Sequence, residues 1–194
     1  MDPFLNKDQL HHSNRLLSPM ITIAQLKQIV PYARRGACEE CADAINTAMA
    51  EFEINTPRRV AAFIAQIAHE SGSLRYMEEI ASGEAYEDRK DLGNIEEGDG
   101  IKFKGRGFIQ ITGRANYIEC SKALGIDLTE YPKLLAQPVN AARSAAWFWK
   151  SRKLNELADQ NNFILITKRI NGGTNGIKER QAFYESAKKV LGVC

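Results

Sequence analysis

The most regular feature of this sequence is the recurrence of apolar residues every three to four positions, the period of an amphipathic helix. It is clearest where Thr56 and Pro57 precede apolar residues at positions 60, 63, 64 and 67. Thr is a preferred N-cap and Pro a preferred first helical residue, so this stretch predicts a core helix ending near Glu70. The same period predicts helices at residues 22–30, 38–52, 113–124, 140–157, 163–170 and 177–191. The chain is therefore predicted to be mainly α-helical.

Residues 101–112 depart from this pattern, because apolar and polar residues alternate there with the period of a strand. We predict an extended segment in a small β-hairpin, in which two glycines would let another backbone or a ligand approach closely. One side of the segment carries Arg106, Gln110 and Thr112. A surface hairpin with a polar outer face fits the alternation equally well. The polar, glycine-containing residues 81–100 predict a loop at the rim of a cleft.

Two acidic residues, Glu70 and Glu79, lie on either side of the predicted end of the core helix. A continuous helix would point them to opposite faces, since each residue turns by roughly 100°. Gly72 can end the helix between them, which would let both carboxyl groups face one cleft. A carboxyl group at a helix C-terminus lies near the negative end of the helix dipole, and this suits Glu70 to act as a general acid. Taken alone, the stretch is explained better by a solvated carboxylate that ends a helix.

Metal chemistry finds little support in the sequence. His69 and Glu70 begin the pattern of a zinc protease, but the second His of that pattern is replaced by Ser73. Cys38 and Cys41 have the Cys-x-x-Cys spacing of metal or redox sites. No second cysteine pair completes such a site, and thiols at i and i+3 of an amphipathic helix are more often small core residues. We therefore expect no metal and no cofactor.

Length and composition describe one globular domain, which we place at residues 20–194. The chain has 194 residues, of which 44% are apolar and 26% charged. A formal net charge of +2 is too mild to indicate nucleic-acid binding. No apolar run approaches the ~18 residues that a membrane span needs. Residues 1–19 lack the apolar core of a signal peptide and are predicted to be a disordered or artificially added leader, and we expect synthesis in a cytoplasm.

The sequence also allows predictions for a pair of tryptophans and for one turn. Trp147 and Trp149 are two positions apart and cannot share a helical face, so one is predicted in the core and the other near the surface or a cleft. Residues 171–176 form a Gly/Asn cluster that predicts a turn between the last two helices. In this cluster Asn171 offers both an amide donor and an amide acceptor.

Six motifs in order resemble glycoside hydrolase family 19, the chitinase-like enzymes. They are Ala-His-Glu-Ser-Gly at 68–72, Glu79, the segment 86–94 ending in Asp-Leu-Gly-Asn, Gly-Asp-Gly at 98–100, the segment 103–117 containing Gly-Arg-Gly-Phe-Ile-Gln-Ile-Thr-Gly, and Ile-Asn-Gly-Gly at 170–173. The set is most similar to the compact members used as endolysins by phages of Gram-negative bacteria, and covers nearly all of residues 21–193. Ser73 stands where relatives often have a second Gly, and Phe108 where plant enzymes have Pro.

The resemblance implies a lysozyme-like, mainly helical fold with two lobes and a small β-hairpin, and hydrolysis of β-1,4 bonds of N-acetylated amino sugars with inversion and without metal. It implies Glu70 as general acid, Glu79 as general base, and Thr112 as a residue that helps hold the attacking water. The substrate-binding residues that it implies are His69, Gln110, Asn116, Tyr117, Asn171 and Arg180, the last as a basic residue near the catalytic carboxylates. Glu78, the adjacent residue, is the alternative candidate for the general base, and only the family motif favours Glu79 over it.

The leading functional hypothesis is an endolysin that hydrolyses the glycan strands of bacterial peptidoglycan. A chitinase acting on chitin oligosaccharides, a lytic transglycosylase and a wall-binding module without activity are the alternatives. We expect a monomer that binds no nucleic acid and does not insert into a membrane. For an endolysin, the family implies accumulation in the bacterial cytoplasm and release to the wall through a pore made by another protein.

Overall fold

The computed structural model describes residues 19–194, and within this range the fold is mainly α-helical, as predicted. The helices are α1 Ile23–Ile29, α2 Ala37–Glu51, α3 Pro57–Glu70, α4 Asp99–Lys102, α5 Arg114–Leu124, α6 Pro138–Ser151, α7 Leu154–Asp159, α8 Phe163–Asn171 and α9 Ile177–Leu191. Short 3₁₀ helices lie at Glu84–Tyr86, Lys90–Leu92 and Pro132–Ala136. The predicted leader lies outside the described residues except for its last position. None of the helices between residues 19 and 194 is both long and apolar enough to cross a membrane.

The helix starts follow from local capping. The Thr22 hydroxyl accepts a hydrogen bond from the Gln25 backbone N–H at 3.1 Å, and the Gln25 side chain accepts one from the Thr22 N–H at 2.9 Å. This reciprocal pair begins α1 as a capping box. Thr56 caps α3 by accepting a hydrogen bond from the Arg59 N–H at 3.3 Å, and Pro57 is the first helical residue. The start of α3 confirms the predicted cap and first helical residue, and α1 lies within the predicted residues 22–30.

The predicted helix at residues 140–157 is two helices, α6 and α7. The chain turns at Lys153, which has a φ of 55°. The turn brings Asn155 under the buried Trp149, whose indole N–H donates to the Asn155 side-chain oxygen at 2.9 Å. The Asn155 amide in turn donates to the carbonyl of Phe52 at 3.3 Å. The break is therefore set by tertiary hydrogen bonds, and the apolar periodicity runs through it without a Gly or Pro.

The predicted extended segment at residues 101–112 is wrong, and no β-hairpin occurs in the part of the chain that the structure describes. Its first residues belong to α4, and Arg106 forms only isolated bridges, to Glu78 and Ile111. The Arg106 N–H donates to the Ile111 carbonyl at 3.1 Å, and the Ile111 N–H donates back at 2.8 Å. These bonds close a tight loop, in which Gln110 has a φ of 57°. The alternative of a surface hairpin placed Arg106 on a polar outer face, but its side chain is buried.

Two hydrophobic clusters correspond to the two predicted lobes. The larger lobe contains the buried faces of α1–α3 and α6–α9. The smaller lobe is built on α5 and contains Phe103, Ile111, Tyr117, Cys120, Leu124, Leu128 and Leu135. Phe52 and Phe148 pack against both clusters. Every residue of α3 from position 60 to 68 is buried, so this helix is a fixed support for the residues at its end.

The cysteines confirm the packing interpretation. Cys38 and Cys41 are buried within the larger lobe, and Cys120 is buried within the smaller one, all as free thiols. Burial raises the pKa of Cys41 to about 11 and that of Cys120 to about 12. Since the thiolate is the reactive form, these groups are inert at neutral pH.

Helix α3 ends at Glu70 in a left-handed turn. The next three positions after Ser71, namely residues 72–74, have φ values of 57°, 65° and 61°. The buried Ser71 hydroxyl donates to the Ile67 carbonyl at 2.6 Å and accepts from the Leu74 N–H at 2.8 Å. The helix therefore stops between Glu70 and Glu79, as predicted.

We expect Ser71→Ala to lower the free energy of unfolding by about 1–3 kcal/mol, because it leaves the buried Leu74 N–H without an acceptor. Chemical denaturation measures the change. Ser73→Ala removes a hydroxyl two residues away, which takes no part in the bonds of Ser71 to Ile67 and Leu74, and serves as the control. Equal stability of the two variants would show that the Ser71 hydroxyl does not hold the turn.

Candidate active site

Glu70, the last residue of α3, lies against a buried arginine. Oε1 of Glu70 is 2.5 Å from Nη2 of Arg180 on α9, although the two groups lack the alignment of a hydrogen bond. The Arg180 side chain is 2% exposed and the Glu70 side chain 19% exposed. The guanidinium of Arg180 therefore places a positive charge beside the negative end of the α3 dipole. Glu70 is exposed to both charges, and not to the helix dipole alone. Arg180 thus lies beside Glu70, the carboxyl group next to which the resemblance implied a basic residue, but its burial prevents direct contact with a glycan.

Arg180 is held by a buried polar chain. Its Nη1 donates to Oε1 of Gln66 at 2.6 Å, and its Nε donates to the Asn175 carbonyl at 3.0 Å. The Gln66 amide donates in turn to the Thr167 hydroxyl at 2.9 Å. Sequence reasoning missed Gln66 and Thr167. The available signal was that Gln66 is the one polar residue among positions 60–68, and lies one helical turn before Glu70.

The turn between α8 and α9 completes this side of the site. The Asn171 amide donates to the Asn175 carbonyl at 3.1 Å, the same oxygen that Arg180 uses, and its oxygen accepts from the Gly173 N–H at 2.9 Å. Asn171 therefore orders the turn that holds Arg180. His69 contacts the Glu179 carboxylate through Nδ1. Its ring also packs on Gly176, where an added Cβ would overlap the imidazole.

We expect Gly176→Ala to destabilise the protein more than Gly172→Ala and to displace His69. Both glycines have positive φ values, 70° and 77°, so alanine costs about 1–2 kcal/mol of backbone strain at either position. The Cβ at position 176 meets His69, whereas a Cβ at position 172 meets none of the described residues within 4 Å. Thermal unfolding and the NMR signals of the His69 ring measure the difference. Equal destabilisation with an unmoved ring would contradict it.

Glu79 is held by neutral donors. Its Oε1 accepts from the Gly105 N–H at 2.8 Å, and its Oε2 accepts from the Tyr86 hydroxyl at 2.9 Å. Burial and the hydrogen bond to Glu79 raise the pKa of Tyr86, which keeps the phenol protonated as a donor. The Glu79 carboxylate is thus oriented by two hydrogen bonds, and neither donor is a cation.

Gly105 is the point on which three predicted site residues converge. A Cβ at Gly105 would lie 2.7 Å from Oε1 of Gln110, 3.2 Å from Oγ1 of Thr112 and 3.4 Å from the carboxyl carbon of Glu79. The Thr112 hydroxyl donates to the Gln110 carbonyl at 3.0 Å, so its lone pairs are left to accept a hydrogen bond. The missing side chain at Gly105 is what lets these groups come together.

Glu78 differs from Glu79 in its charged partners. Its carboxylate lies 3.0 Å from Nζ of Lys104 and 3.4 Å from Nε of Arg106. Burial raises the pKa of Glu78, but the hydrogen bond from Lys104 and the charge of Arg106 outweigh this effect, so the pKa lies below its ordinary value. Glu78 is therefore a neutralised structural carboxylate, which gives a physical reason to prefer Glu79 as the base.

The prediction that Tyr117 binds substrate is wrong. Tyr117 is fully buried in the smaller lobe, where its hydroxyl donates to the Lys104 carbonyl at 2.7 Å and accepts from Nη1 of Arg106 at 3.0 Å. Burial raises its pKa, so the phenol remains a donor. The side chain supports the loop that carries Gly105 and has no surface open to solvent.

A pocket of about 140 Å³ opens beside Thr112. Its lining includes Leu92, Gln110, Thr112, Asn116, Glu119, Trp147, Phe148 and Arg152. Trp147 is half-buried in this wall whereas Trp149 is fully buried, which confirms the prediction for the tryptophan pair. The Asn116 amide donates to the Thr112 carbonyl at 2.7 Å, so Asn116 helps to hold Thr112 in place.

The predicted rim loop is pinned at its far end by residues that sequence reasoning missed. Asp99 is buried and accepts two hydrogen bonds from the Arg114 guanidinium, at 2.6 and 2.8 Å. These hydrogen bonds hold the pKa of Asp99 below its ordinary value. The Asn94 amide donates to the Tyr86 carbonyl at 2.8 Å, and its oxygen accepts from the Arg114 N–H at the same distance. The loop thereby fixes Tyr86, the hydrogen-bond donor to Glu79.

Comparison with known protein sequences shows a consistent set of relatives. The family model of class I chitinases, glycoside hydrolase family 19, matches residues 40–169. A glycosyl hydrolase family 19 domain-containing protein of Haemophilus influenzae is 31% identical over 88% of this chain and 96% of its own length. An endochitinase of Arabidopsis thaliana is 38% identical over 70% of this chain. The chain spans 49% of that endochitinase.

Solved structures show the same fold. Chitinase C from Streptomyces griseus superposes with a TM-score of 0.75 at 24% identity, covering 90% of this chain and 93% of that one. A class IV chitinase of this family from Zea mays superposes with a TM-score of 0.73 at 25% identity, covering 90% and 94%. The arrangement of helices is therefore shared with these enzymes.

Proposed function

The chain belongs to glycoside hydrolase family 19, and from this premise we propose that it hydrolyses the β-1,4 bonds of peptidoglycan glycan strands as an endolysin. The observation that carries the proposed chemistry is the convergence of the Glu79 carboxylate and the Thr112 hydroxyl on Gly105. A carboxylate beside a free hydroxyl acceptor can hold a water molecule by both of its protons.

Glu79 acts as the general base. A water held by Glu79 and Thr112 loses a proton to the Glu79 carboxylate as its oxygen attacks the anomeric carbon. The hydrogen bonds from Tyr86 and Gly105 orient the carboxylate but do not neutralise it, so it keeps its attraction for the proton. Glu78 lacks this property because two cations contact it.

Glu70 acts as the general acid and protonates the leaving glycosidic oxygen. It extends from a rigid helix end, and Arg180 limits the positions that its carboxyl group can take. The proton must reside on the oxygen that faces the substrate, because the other, Oε1, is buried against the guanidinium. Attack by water from the opposite side of the sugar gives inversion at the anomeric carbon.

The choice of peptidoglycan rests on the motif set, which is most similar to compact phage endolysins, and on the bacterial relative that this chain matches over nearly its whole length. In this role the protein accumulates in the host cytoplasm and reaches the wall when a membrane pore opens. Lysis of the host cell follows from cutting the strands.

Product analysis on purified peptidoglycan tests the proposal. We expect mass spectrometry to show released muropeptides with reducing ends that carry one added water, and NMR to show the inverted anomer as the first product. Anhydro-muramic ends would instead indicate a lytic transglycosylase. Binding to the wall without released sugar ends would indicate an inactive wall-binding protein.

A chitinase is the second candidate, because several relatives are named endochitinases. Chitin and peptidoglycan share β-1,4-linked N-acetylglucosamine, so one cleft can accept either polymer. The ratio of kcat/KM for peptidoglycan strands to that for chito-oligosaccharides of equal length separates the two functions. A ratio far below one would favour the chitinase.

A further inference from the structure

Arg152 lies at the pocket beside Thr112 and is held there by stacking. Its guanidinium carbon is 3.5 Å from the centre of the Phe148 ring, and both side chains line the pocket. Stacking on an aromatic face orients the plane of the guanidinium while leaving its edge N–H groups available for hydrogen bonds. The group is thus preorganised at the edge of the candidate active site.

This cation forms no ion pair in the described part of the chain. Within residues 19–194, no Asp or Glu oxygen lies within 4.0 Å of the Arg152 nitrogens, and its side-chain hydrogen bond is to the Ser151 hydroxyl at 3.2 Å. Arg59, Arg114 and Arg143, by contrast, each contact a carboxylate at 2.6 or 2.7 Å. Glu119 lines the same pocket but stays beyond ion-pair distance. Contact with Phe148 partly desolvates the guanidinium and lowers its pKa.

We propose that Arg152 binds a carboxylate carried by a muramic acid residue of the substrate, in the pocket formed with Trp147 and Asn116. The inference rests on the proposed function and names the feature of peptidoglycan that this site recognises. Chitin is uncharged, whereas each muramic acid carries either a free lactyl carboxylate or a stem peptide with its own carboxylates. Both sources present the planar anion that a guanidinium edge binds with two parallel hydrogen bonds.

The position of the pocket fits this role. Thr112 lies both in the pocket wall and beside Glu79, so a sugar that reaches the proposed water site also lies next to the pocket. Phe148 covers one face of the guanidinium and shields that face from water, and this strengthens its attraction for an anion. Glu119 on the same pocket disfavours an anion in any pose that does not contact Arg152 directly.

Binding, measured without cleavage, tests the proposal. In a Glu70→Gln background, the dissociation constants of three tetrasaccharides are compared by calorimetry. They are chitotetraose, a GlcNAc–MurNAc repeat with free lactyl groups, and the same repeat with stem peptides. We expect a further Arg152→Gln change to weaken at least one muramic acid ligand by about tenfold or more and to leave chitotetraose unchanged. Lys153→Gln, an adjacent exposed cation outside the pocket lining, is the matched control.

The outcomes separate the carboxylate sources and the two proposals. A loss confined to the peptide-bearing ligand assigns the stem peptide, and a loss shared by both muramic acid ligands assigns the lactyl group. Four results would overturn the Arg152 site. Arg152→Gln could weaken all three ligands equally or weaken none of them. Lys153→Gln could weaken the muramic acid ligands as much as Arg152→Gln does, or neither muramic acid ligand could bind at all. Failure of the unmodified protein to cut peptidoglycan would overturn the proposed function instead, because binding in this assay needs no cleavage.

Discussion

Replacing Glu70 with glutamine is expected to reduce kcat on chito-oligosaccharides or peptidoglycan by about 10³-fold, while the fold stays intact. The amide has nearly the shape of the carboxyl group, and its oxygen can still face Arg180, but it has no proton to give to the leaving oxygen. An aryl glycoside with an acidic phenol leaving group needs little protonation. We therefore expect it to lose much less rate, and the comparison of the two substrates measures the acid role directly.

The control for this change is Glu179→Gln, which removes a nearby carboxylate that contacts His69 and not Arg180. We expect it to keep most of the activity. Circular dichroism and the Tm of each variant exclude unfolding as the cause of a loss. Full activity of Glu70→Gln on the oligosaccharide would remove Glu70 from the mechanism.

The second large loss of kcat is expected for a substitution at Glu79, and the adjacent Glu78 provides the comparison. Glu79→Gln should reduce kcat by about 10²- to 10⁴-fold on both the oligosaccharide and the aryl glycoside, because activating water is needed whatever group leaves. The glutamine can keep the local structure, since its oxygen can accept from the Gly105 N–H while its amide donates to the Tyr86 oxygen. Initial rates on the two substrates give the measurement.

Glu78→Gln is the matched control, because it is the same substitution one residue away. It weakens the pairs that the partly exposed Glu78 carboxylate forms with the largely covered Lys104 and the buried Arg106, so we expect a loss of stability and an activity within about tenfold of the parent. If Glu78→Gln instead lost as much activity as Glu79→Gln at an unchanged Tm, the roles assigned to the two residues would have to be exchanged.

The surroundings of Glu70 and Glu79 differ in a way that suits different tasks. Glu70 contacts a buried cation that is itself fixed by Gln66 and Asn175, so its position is tightly constrained. Glu79 is oriented by a phenol and a backbone N–H beside an unfilled glycine. Glu70 is thus fixed at the end of a core helix of the larger lobe, whereas Glu79 is held by the segments that carry Tyr86 and Gly105.

Several parts of this architecture could be read from the sequence because the forces behind them act over a few residues. The starts of α1 and α3 follow from Thr22 and Thr56, whose side chains bond to N–H groups three positions away. The bounds of α9 follow from its apolar period. Glu70 at a helix end and the break before Glu79 needed only the apolar period and the turn residues after it.

The tertiary structure alone decided which groups meet these residues. Arg180 and Gln66 are 114 positions apart, and Gln66 and Thr167 are 101 apart, so no local pattern can pair them. The same limit explains the errors. Alternation at residues 101–112 does not show that Arg106 turns inward to Tyr117. Helical periodicity does not show that the chain turns at Lys153, nor that Asn155 at the start of α7 reaches the Phe52 carbonyl, 103 positions away.

The sequence by itself therefore determined the helical class, the helix end that carries Glu70, the break before Glu79 and, through its motifs, the family. Only the tertiary structure decided that Glu78 is neutralised, that Tyr117 is internal, and that Glu79 shares the space above Gly105 with Thr112. The physical reason is the sequence separation over which each interaction acts. Capping and periodicity depend on neighbours within one or two turns, whereas burial and charge pairing depend on segments that come together only when the chain has folded.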